Sequence, residues 1–183
     1  MNPKQFSIFI LALALALAAS SAALAQEKKI NWLSMEQAQE LHSKNPKKIF
    51  VDIYTDWCSW CKRMDSETFT HPVIVDYINK HFYAVKLNAE QTEPIVFKGV
   101  KYENERAGQR RGAHNFAIAI LQGRLSYPSV AFFDEHLSLI YALPGFRPPL
   151  HMEPVLVFFN EDYYKTNPNL DEFTANFKGR ISP

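Results

Sequence analysis

The sequence predicts an α/β fold in which a central mixed β-sheet is flanked by helices. Strand-like and helix-like segments alternate from residue 30 to residue 88, which favours parallel strands joined by right-handed crossovers. Residues 48–55, KIFVDIYT, are β-branched, aromatic and almost continuously apolar, as expected for a central strand covered on both faces. Residues 128–134 and 137–145 follow as two strands close enough to form an antiparallel hairpin.

The first 25 residues are expected to be a secretory signal peptide and not part of the fold. Lys4 precedes an apolar run, and the small residues Ala23 and Ala25 precede the expected cleavage site after Ala25. An uncleaved membrane anchor is the alternative, although the run is short and rich in alanine. Residues 26–183 are then expected to form one periplasmic or secreted domain.

The charge balance indicates no nucleic-acid partner and no anionic membrane surface. The chain has 20 basic and 19 acidic side chains, and Lys4 is the only charged residue in the expected signal peptide. The stretch that contains Arg106, Arg110 and Arg111 is interpreted as a solvated loop.

The first helix is predicted to begin after Ser34, which can cap it while Gln37 occupies the capping-box position. Pro46 follows the end of this helix, and a short strand is expected ahead of it at residues 30–33.

Residues 61–69 lack glycine and proline and are predicted to be helical, with a break or a new first turn at His71 and Pro72. A further helix over residues 72–82 leads into a strand over residues 82–88.

Residues 91–112 interrupt this alternation, with a small hairpin expected around Gly99 and then a polar, arginine-rich loop. A helix over residues 113–123 ends at a glycine. Two helical segments, 149–165 and 169–179, complete the chain, and the second is expected to begin at a capping asparagine and to stop at a glycine.

The only two cysteines, Cys58 and Cys61, lie at the junction of the central strand and the next helix. The unpaired N–H groups and the dipole at a helix N-terminus favour a thiolate, so Cys58 is the candidate nucleophile. Cys61 lies one turn further along and can displace a bound partner by closing the disulfide. Outside the cytoplasm such a disulfide persists unless a reductant opens it.

The two cysteines have three alternative uses. A structural disulfide across so small a loop restricts the unfolded chain little. Zinc needs about four ligands, and the six scattered histidines show no second cluster at ligand spacing. A two-coordinate copper(I) site on both thiolates is the stronger competitor, because copper(I) prefers soft sulfur ligands.

The segment VDIYTDWCSWCK resembles the active-site segment of thioredoxins, in which a strand with an embedded aspartate leads to Trp-Cys-x-x-Cys-Lys. The resemblance continues with VKLN, YPSVAFFD and a glycine near the end of the last hairpin, and covers most of residues 48–147. It implies a thioredoxin fold with an extended connection before a cis-proline and an extra C-terminal helix. The chain is most similar to exported members, which include the reducing domains of periplasmic disulfide reduction and cytochrome c maturation.

The resemblance also implies roles for four residues. Asp52 matches the buried carboxylate that assists proton transfer to and from the second cysteine, with a solvent-facing edge aspartate as the alternative. Lys86 matches a lysine near that carboxylate, or is a plain surface lysine. Pro128 matches the cis-proline that faces the cysteines and leaves the backbone of Tyr127 free for an extended substrate. A trans-proline at the start of a strand is the alternative.

Trp57 and Trp60 flank the nucleophile and suit the docking of flexible polypeptide, although either ring could belong to the core. Trp60 replaces the proline or histidine common in these motifs, which leaves the redox potential open. Tyr127 stands where many members have threonine or valine. Residues 91–124 are longer than the connection in small thioredoxins and are expected to border the active site and to influence partner choice.

The expected function is therefore thiol–disulfide exchange with protein thiols and disulfides, in the reducing direction, with a membrane-borne thiol carrier as electron donor. Cys58 attacks the partner disulfide, and Cys61, assisted by Asp52, resolves the mixed disulfide. We expect no cofactor and no bound metal. A copper(I)-handling chaperone that uses the same thiols and a non-catalytic interaction module with this fold are the alternatives.

Overall fold

A five-stranded mixed sheet forms the centre of the protein, with the strands in the order β1-β3-β2-β6-β7. The computed structural model describes residues 28–182. The strands of the sheet are β1 (Trp32–Leu33), β2 (Ile49–Tyr54), β3 (Tyr83–Asn88), β6 (Ser129–Phe133) and β7 (Leu139–Pro144), and a separate hairpin consists of β4 (Ile95–Phe97) and β5 (Val100–Tyr102). The helices are α1 (Met35–Lys44), α2 (Ser59–Glu67), α3 (Pro72–His81), α4 (Asn115–Ile120), α5 (Pro149–Asn160), α6 (Tyr163–Thr166) and α7 (Leu170–Asn176).

The predicted central strand is confirmed, because β2 pairs in parallel with β3 and antiparallel with β6. Side chains alternate between the two faces of a strand, so β2 contributes to two separate cores. Phe50 packs in one core with residues of α3 and α5, and Val51 packs in the other with residues of α1 and α4. The covered central strand therefore holds any polar side chain away from water.

The local signals at the helix starts are also confirmed. Ser34 and Gln37 form a reciprocal capping box at α1, in which each side chain accepts the other residue's backbone N–H. Pro72 is the first residue of α3. Helix α2 begins at Ser59, because the side chain of Cys58 caps it.

The C-terminal helices differ from the prediction in two places. The predicted helix 149–165 is two helices, because the backbone of Asp162 is left-handed (φ 62°) and cannot continue α5. The last helix ends at Asn176 and not at Gly179, because the backbone of Phe177 is extended and cannot continue the helix.

The tail beyond α7 is held by a buried carboxylate. Glu153 of α5 is 4% exposed, and its two oxygens accept the backbone N–H groups of Arg180 (2.8 Å) and Ile181 (3.0 Å). Gly179 lies directly against this carboxylate, where a side-chain Cβ would be 2.3 Å from Glu153 Oε2. We call this contact between α5 and the tail the Glu153 clasp.

The expected signal peptide, residues 1–25, lies outside the described residues. Within residues 28–182, no helix is both long enough and apolar enough to cross a membrane. The same part of the chain contains no group of three or more His, Cys, Asp or Glu side chains placed to hold a metal ion.

Candidate active site

The two cysteines form a disulfide at the start of α2, immediately after the central strand. Cys58 is the N-cap residue, and its Sγ accepts the backbone N–H of Cys61 at 3.1 Å. Both residues are nearly buried, at 4% and 3% exposure. A sulfur at this position lies at the positive end of the helix dipole, which favours the thiolate when the disulfide is open.

Aromatic side chains surround the disulfide. Trp57 and Trp60 are half exposed, at 50% and 52%, so neither ring is core packing. Trp57 makes an edge-to-face contact with Tyr127 at a centroid distance of 5.9 Å, and Trp60 lies 5.3 Å from the ring of Phe146. We call these four side chains the aromatic rim. Phe146 was missed by the sequence analysis, since nothing in its local pattern connects it to the cysteines.

The peptide bond between Tyr127 and Pro128 is cis, so the trans alternative does not hold. Pro128 is buried and comes directly before β6, which pairs with the strand that leads to the cysteines. Its carbonyl oxygen accepts the N–H of Gly145 at 2.8 Å, which ties it to the end of the last hairpin.

Asp52 is a buried carboxylate inside β2, with 1% of its surface exposed. Its Oδ2 lies 2.6 Å from Nζ of Lys86, its register partner on β3. Among residues 28–182, no group hydrogen bonds to its Oδ1. Burial raises the pKa of Asp52 from the ordinary 3.8 to about 6, although the Lys86 ammonium opposes the shift. This carboxyl group can therefore take up and release a proton near neutral pH.

Lys86 joins Asp52 to a second carboxylate, Asp65 of α2, to which its ammonium group also donates a hydrogen bond. Burial alone would lower the pKa of Lys86, but the two carboxylates outweigh it and raise the pKa above the ordinary 10.5. Lys86 therefore stays charged while Asp52 titrates. Asp65 was missed by the sequence analysis, although it lies four residues after Cys61 on one helix, a spacing that places both on one face.

The long connection reaches the active site through Arg111. Its guanidinium lies 4.8 Å from the centre of the Trp57 ring, and Trp57 Nε1 donates to both carboxylate oxygens of Glu90 at 3.0 Å. The loop is exposed, as expected, but Arg111 is a contact residue and not only a solvated one. No sequence signal connects it to Trp57, which lies 54 residues earlier in the chain.

The structure thus brings two groups of predicted residues together. Trp57, Trp60 and Tyr127 surround the cysteines at the surface, and Asp52 pairs with Lys86 in the buried strands. This arrangement combines a cysteine pair with exposed aromatic rings and a titratable carboxyl group, a set of groups that is compatible with thiol–disulfide exchange.

A protein-family model, Thioredox_DsbH, described as "Protein of unknown function, DUF255", matches residues 15–138. The chain belongs to this thioredoxin-fold family. The Cys58–Cys61 disulfide lies within the matched residues.

Relatives of this DsbH-family chain agree with the fold. It is 27% identical over 113 residues to the thiol:disulfide interchange protein DsbD of Haemophilus ducreyi, an alignment that covers 62% of this chain and 16% of that protein. A thioredoxin-fold protein from Helicobacter pylori superposes with a TM-score of 0.54 at 21% identity, over 72% of this chain and 84% of that one. A thioredoxin from Thermus thermophilus superposes with a TM-score of 0.51 at 13% identity, over 70% of this chain and 85% of that one. The predicted thioredoxin fold is confirmed.

Proposed function

We propose that this protein reduces disulfides of other proteins outside the cytoplasm. The observation that carries the proposal is the buried Asp52–Lys86 pair on the strands behind the Cys58–Cys61 disulfide. A carboxyl group with a pKa of about 6 can accept a proton at the pH where the second cysteine must lose one. A structural disulfide has no need of such a group.

The reaction begins with both cysteines reduced. The Cys58 thiolate attacks one sulfur of the partner disulfide, that bond breaks, and the other partner sulfur leaves as a thiolate that takes up a proton. Cys61 then gives its proton to Asp52 and attacks Cys58 Sγ. The mixed disulfide breaks, the Cys58–Cys61 disulfide forms, and the partner's second sulfur leaves as a thiolate. Two electrons pass to the partner, and this chain is oxidised.

A dithiol donor must then reopen the Cys58–Cys61 disulfide. We propose a membrane-borne thiol carrier for this step, and the similarity to DsbD, a thiol:disulfide interchange protein, supports that choice. The signal-like residues 1–25 support export to an oxidising compartment, where such a donor is needed. Disulfide reduction during cytochrome c maturation, suggested by the sequence resemblance, is one process that the reaction would serve.

The test is reduction of insulin and of a disulfide-containing peptide by the dithiothreitol-reduced protein, with its redox equilibrium measured against glutathione. Cys58→Ser should abolish the reaction, and Cys61→Ser should accumulate the mixed disulfide, because the resolving thiol is missing. A redox potential close to those of strong oxidants would reverse the proposed direction. Failure of the reduced wild type to reduce either substrate would favour the non-catalytic module.

A separate measurement tests the proposed location outside the cytoplasm. Cell fractionation with mass spectrometry of the purified protein should find an extracytoplasmic chain that begins at Gln26. A cytoplasmic chain that retains residues 1–25 would contradict the proposed export.

A further inference from the structure

We propose that Arg111 selects partner proteins that carry a carboxylate next to the cysteine that Cys58 attacks. This inference rests on the proposed function and specifies its substrate class. The residues that define the surface are Arg111 with Trp57, which directly precedes Cys58, and Arg63 with Trp60, which lies between the two cysteines in the chain. A guanidinium lies over each tryptophan ring, at 4.8 Å and 5.2 Å from the ring centre.

Arg111 is placed to bind a carboxylate and is not already paired with one. In residues 28–182, no carboxylate oxygen lies within 4.0 Å of its guanidinium. A guanidinium that stacks on an aromatic ring keeps its in-plane N–H donors available, and their fork geometry matches a carboxylate. Contact with Trp57 also restricts the long side chain before a partner arrives, which lowers the entropy lost on binding.

The loop that carries Arg111 is fixed by the buried side chain of Asn104. Its Nδ2 donates to the carbonyl oxygens of Gln91 (2.9 Å) and Gly112 (3.0 Å), and its Oδ1 accepts the N–H of Arg106 (3.0 Å). Gly112 packs so closely that a Cβ would lie 2.0 Å from Arg106 O. These contacts hold Arg111 in a left-handed conformation, φ 59°, which a residue other than glycine adopts at a cost.

The two arginines on this surface are not equivalent. Arg63 lies over both Trp60 and Phe146, but its Nε donates to Glu67 at 2.8 Å, so part of its charge is already neutralised. Arg111 has no such partner among the described residues. Arg111, which contacts Trp57, is therefore the arginine that is expected to select partner proteins by their charge.

Two acidic side chains also lie near Trp57, and each has a partner of its own. Glu90 accepts the indole N–H of Trp57, and Asp56 accepts a hydrogen bond from Asn88. Lys62, next to Cys61, is exposed and adds a positive charge to the same surface. The donors to Glu90 and Asp56 are both neutral, so these two carboxylates keep their negative charges where they are already hydrogen-bonded. The N–H groups of Arg111, which have no carboxylate partner among residues 28–182, are the ones left to bind an acidic side chain of the partner.

The experiment compares three disulfide-containing peptides that differ only beside the reacting cysteine, with Glu, Gln or Lys at that position. The wild type should reduce the Glu peptide about three to ten times faster than the Gln peptide at low salt, and the Lys peptide more slowly still. Salt at about 0.5 M should reduce this preference, because it screens an exposed charge pair.

Arg111→Ala should bring the ratio of the Glu-peptide rate to the Gln-peptide rate down to about one, and this ratio, not the absolute rate, is the quantity compared between variants. Arg110→Ala is the matched control, because Arg110 is the adjacent exposed arginine of the same loop and should leave the preference intact. Equal rates for the Glu and Gln peptides, or an equal loss in both variants, would overturn the inference. A wild type that reduces no peptide at all would overturn the proposed function and this inference with it.

Discussion

Asp52 and Glu153 are two carboxylates that the fold buries almost equally, at 1% and 4% exposure, and treats in opposite ways. Both oxygens of Glu153 accept backbone N–H groups, so this carboxylate is fully used in holding the tail. Asp52 has one oxygen on Lys86 and one with no hydrogen-bond partner in the described part of the chain.

The difference separates a carboxylate that is used for backbone hydrogen bonds from one that has an oxygen without a hydrogen-bond partner in the described part of the chain. The two oxygens of Glu153 are used to hold backbone N–H groups of the tail, whereas burial of Asp52 with one unpartnered oxygen favours its protonation. Burial by itself therefore does not identify a catalytic acid or base. The number of hydrogen bonds that the buried group makes is the better indicator.

The largest expected effect is on the pH dependence of stability. The pKa of Asp52 is raised from 3.8 to about 6 in the folded chain, so the folded state holds this proton more tightly than the unfolded state does. The contribution of Asp52 to stability is therefore fully present below about pH 4 and is lost as the pH rises through about 6. Asp52→Asn removes this titration.

Denaturant unfolding of the oxidised proteins at pH 4 and pH 8 measures the effect. The free energy of unfolding of Asp52→Asn relative to the wild type should rise by about 3 kcal/mol between the two pH values. Glu153→Gln should show no such rise, and parallel pH profiles for wild type and Asp52→Asn would refute the role given to burial.

The second effect is on the rate of the resolving step. Asp52→Asn should slow release of the reduced partner from the mixed disulfide by about a hundredfold at pH 7, because Cys61 loses its proton acceptor. This corresponds to about 2.7 kcal/mol in the activation free energy. Quenched-flow trapping of the mixed disulfide measures the rate, and Glu153→Gln should leave it unchanged. A similar slowing in both variants would mean that the two carboxylates do not differ in function.

The third effect is a loss of stability at the Glu153 clasp, opposite in sign to the relative gain expected for Asp52→Asn between pH 4 and pH 8. Glu153→Gln should lower the free energy of unfolding at pH 8 by about 2 kcal/mol, because an amide offers one acceptor oxygen and points its NH₂ at the other backbone N–H. Glu93→Gln makes the same substitution on an exposed side chain and is the control. If Glu153→Gln is as stable as that control, the clasp does not stabilise the tail.

The smallest effect is expected at Gly179. An added Cβ would lie 2.3 Å from Glu153 Oε2 and 2.5 Å from a ring carbon of Phe177, so the tail must shift. Gly179→Ala should cost about 1 kcal/mol, at the low end for overpacking, because the chain end can move away. Thermal unfolding detects this loss, and hydrogen exchange at Arg180 and Ile181 should speed up. Unchanged exchange at these two amides would count against the clasp.

The sequence predicted the structural features that depend on residues close together along the chain. A nearly continuous run of β-branched and aromatic residues located β2, a serine and a glutamine three residues apart located the start of α1, and Gly99 marked the β4–β5 hairpin. The thioredoxin-like motif indicated Asp52, Lys86 and Pro128, which the structure places in buried or partly buried positions around the strands that end at the disulfide.

What the sequence did not predict depends on contacts between distant segments. The contact of Arg111 with Trp57, the hydrogen bonds of Glu153 to the tail and the packing of Phe146 on Trp60 each join residues more than 25 positions apart. Local patterns contain no information on which distant residue a side chain will meet. The break at Asp162 was missed for a related reason, since only the left-handed backbone separates α5 from α6.

The Cys58 Sγ accepts the Cys61 N–H and caps α2, so in the proposed reaction one sulfur atom is both the nucleophile and the helix cap. A thiolate is a stronger acceptor than a sulfur in a disulfide, so the first turn of α2 is held more firmly when the cysteines are reduced. In the proposed reaction, each oxidation of the pair weakens the start of this helix and each reduction restores it. By linkage, a change that improves the capping of α2 by the thiolate also shifts the equilibrium toward the open, reduced pair.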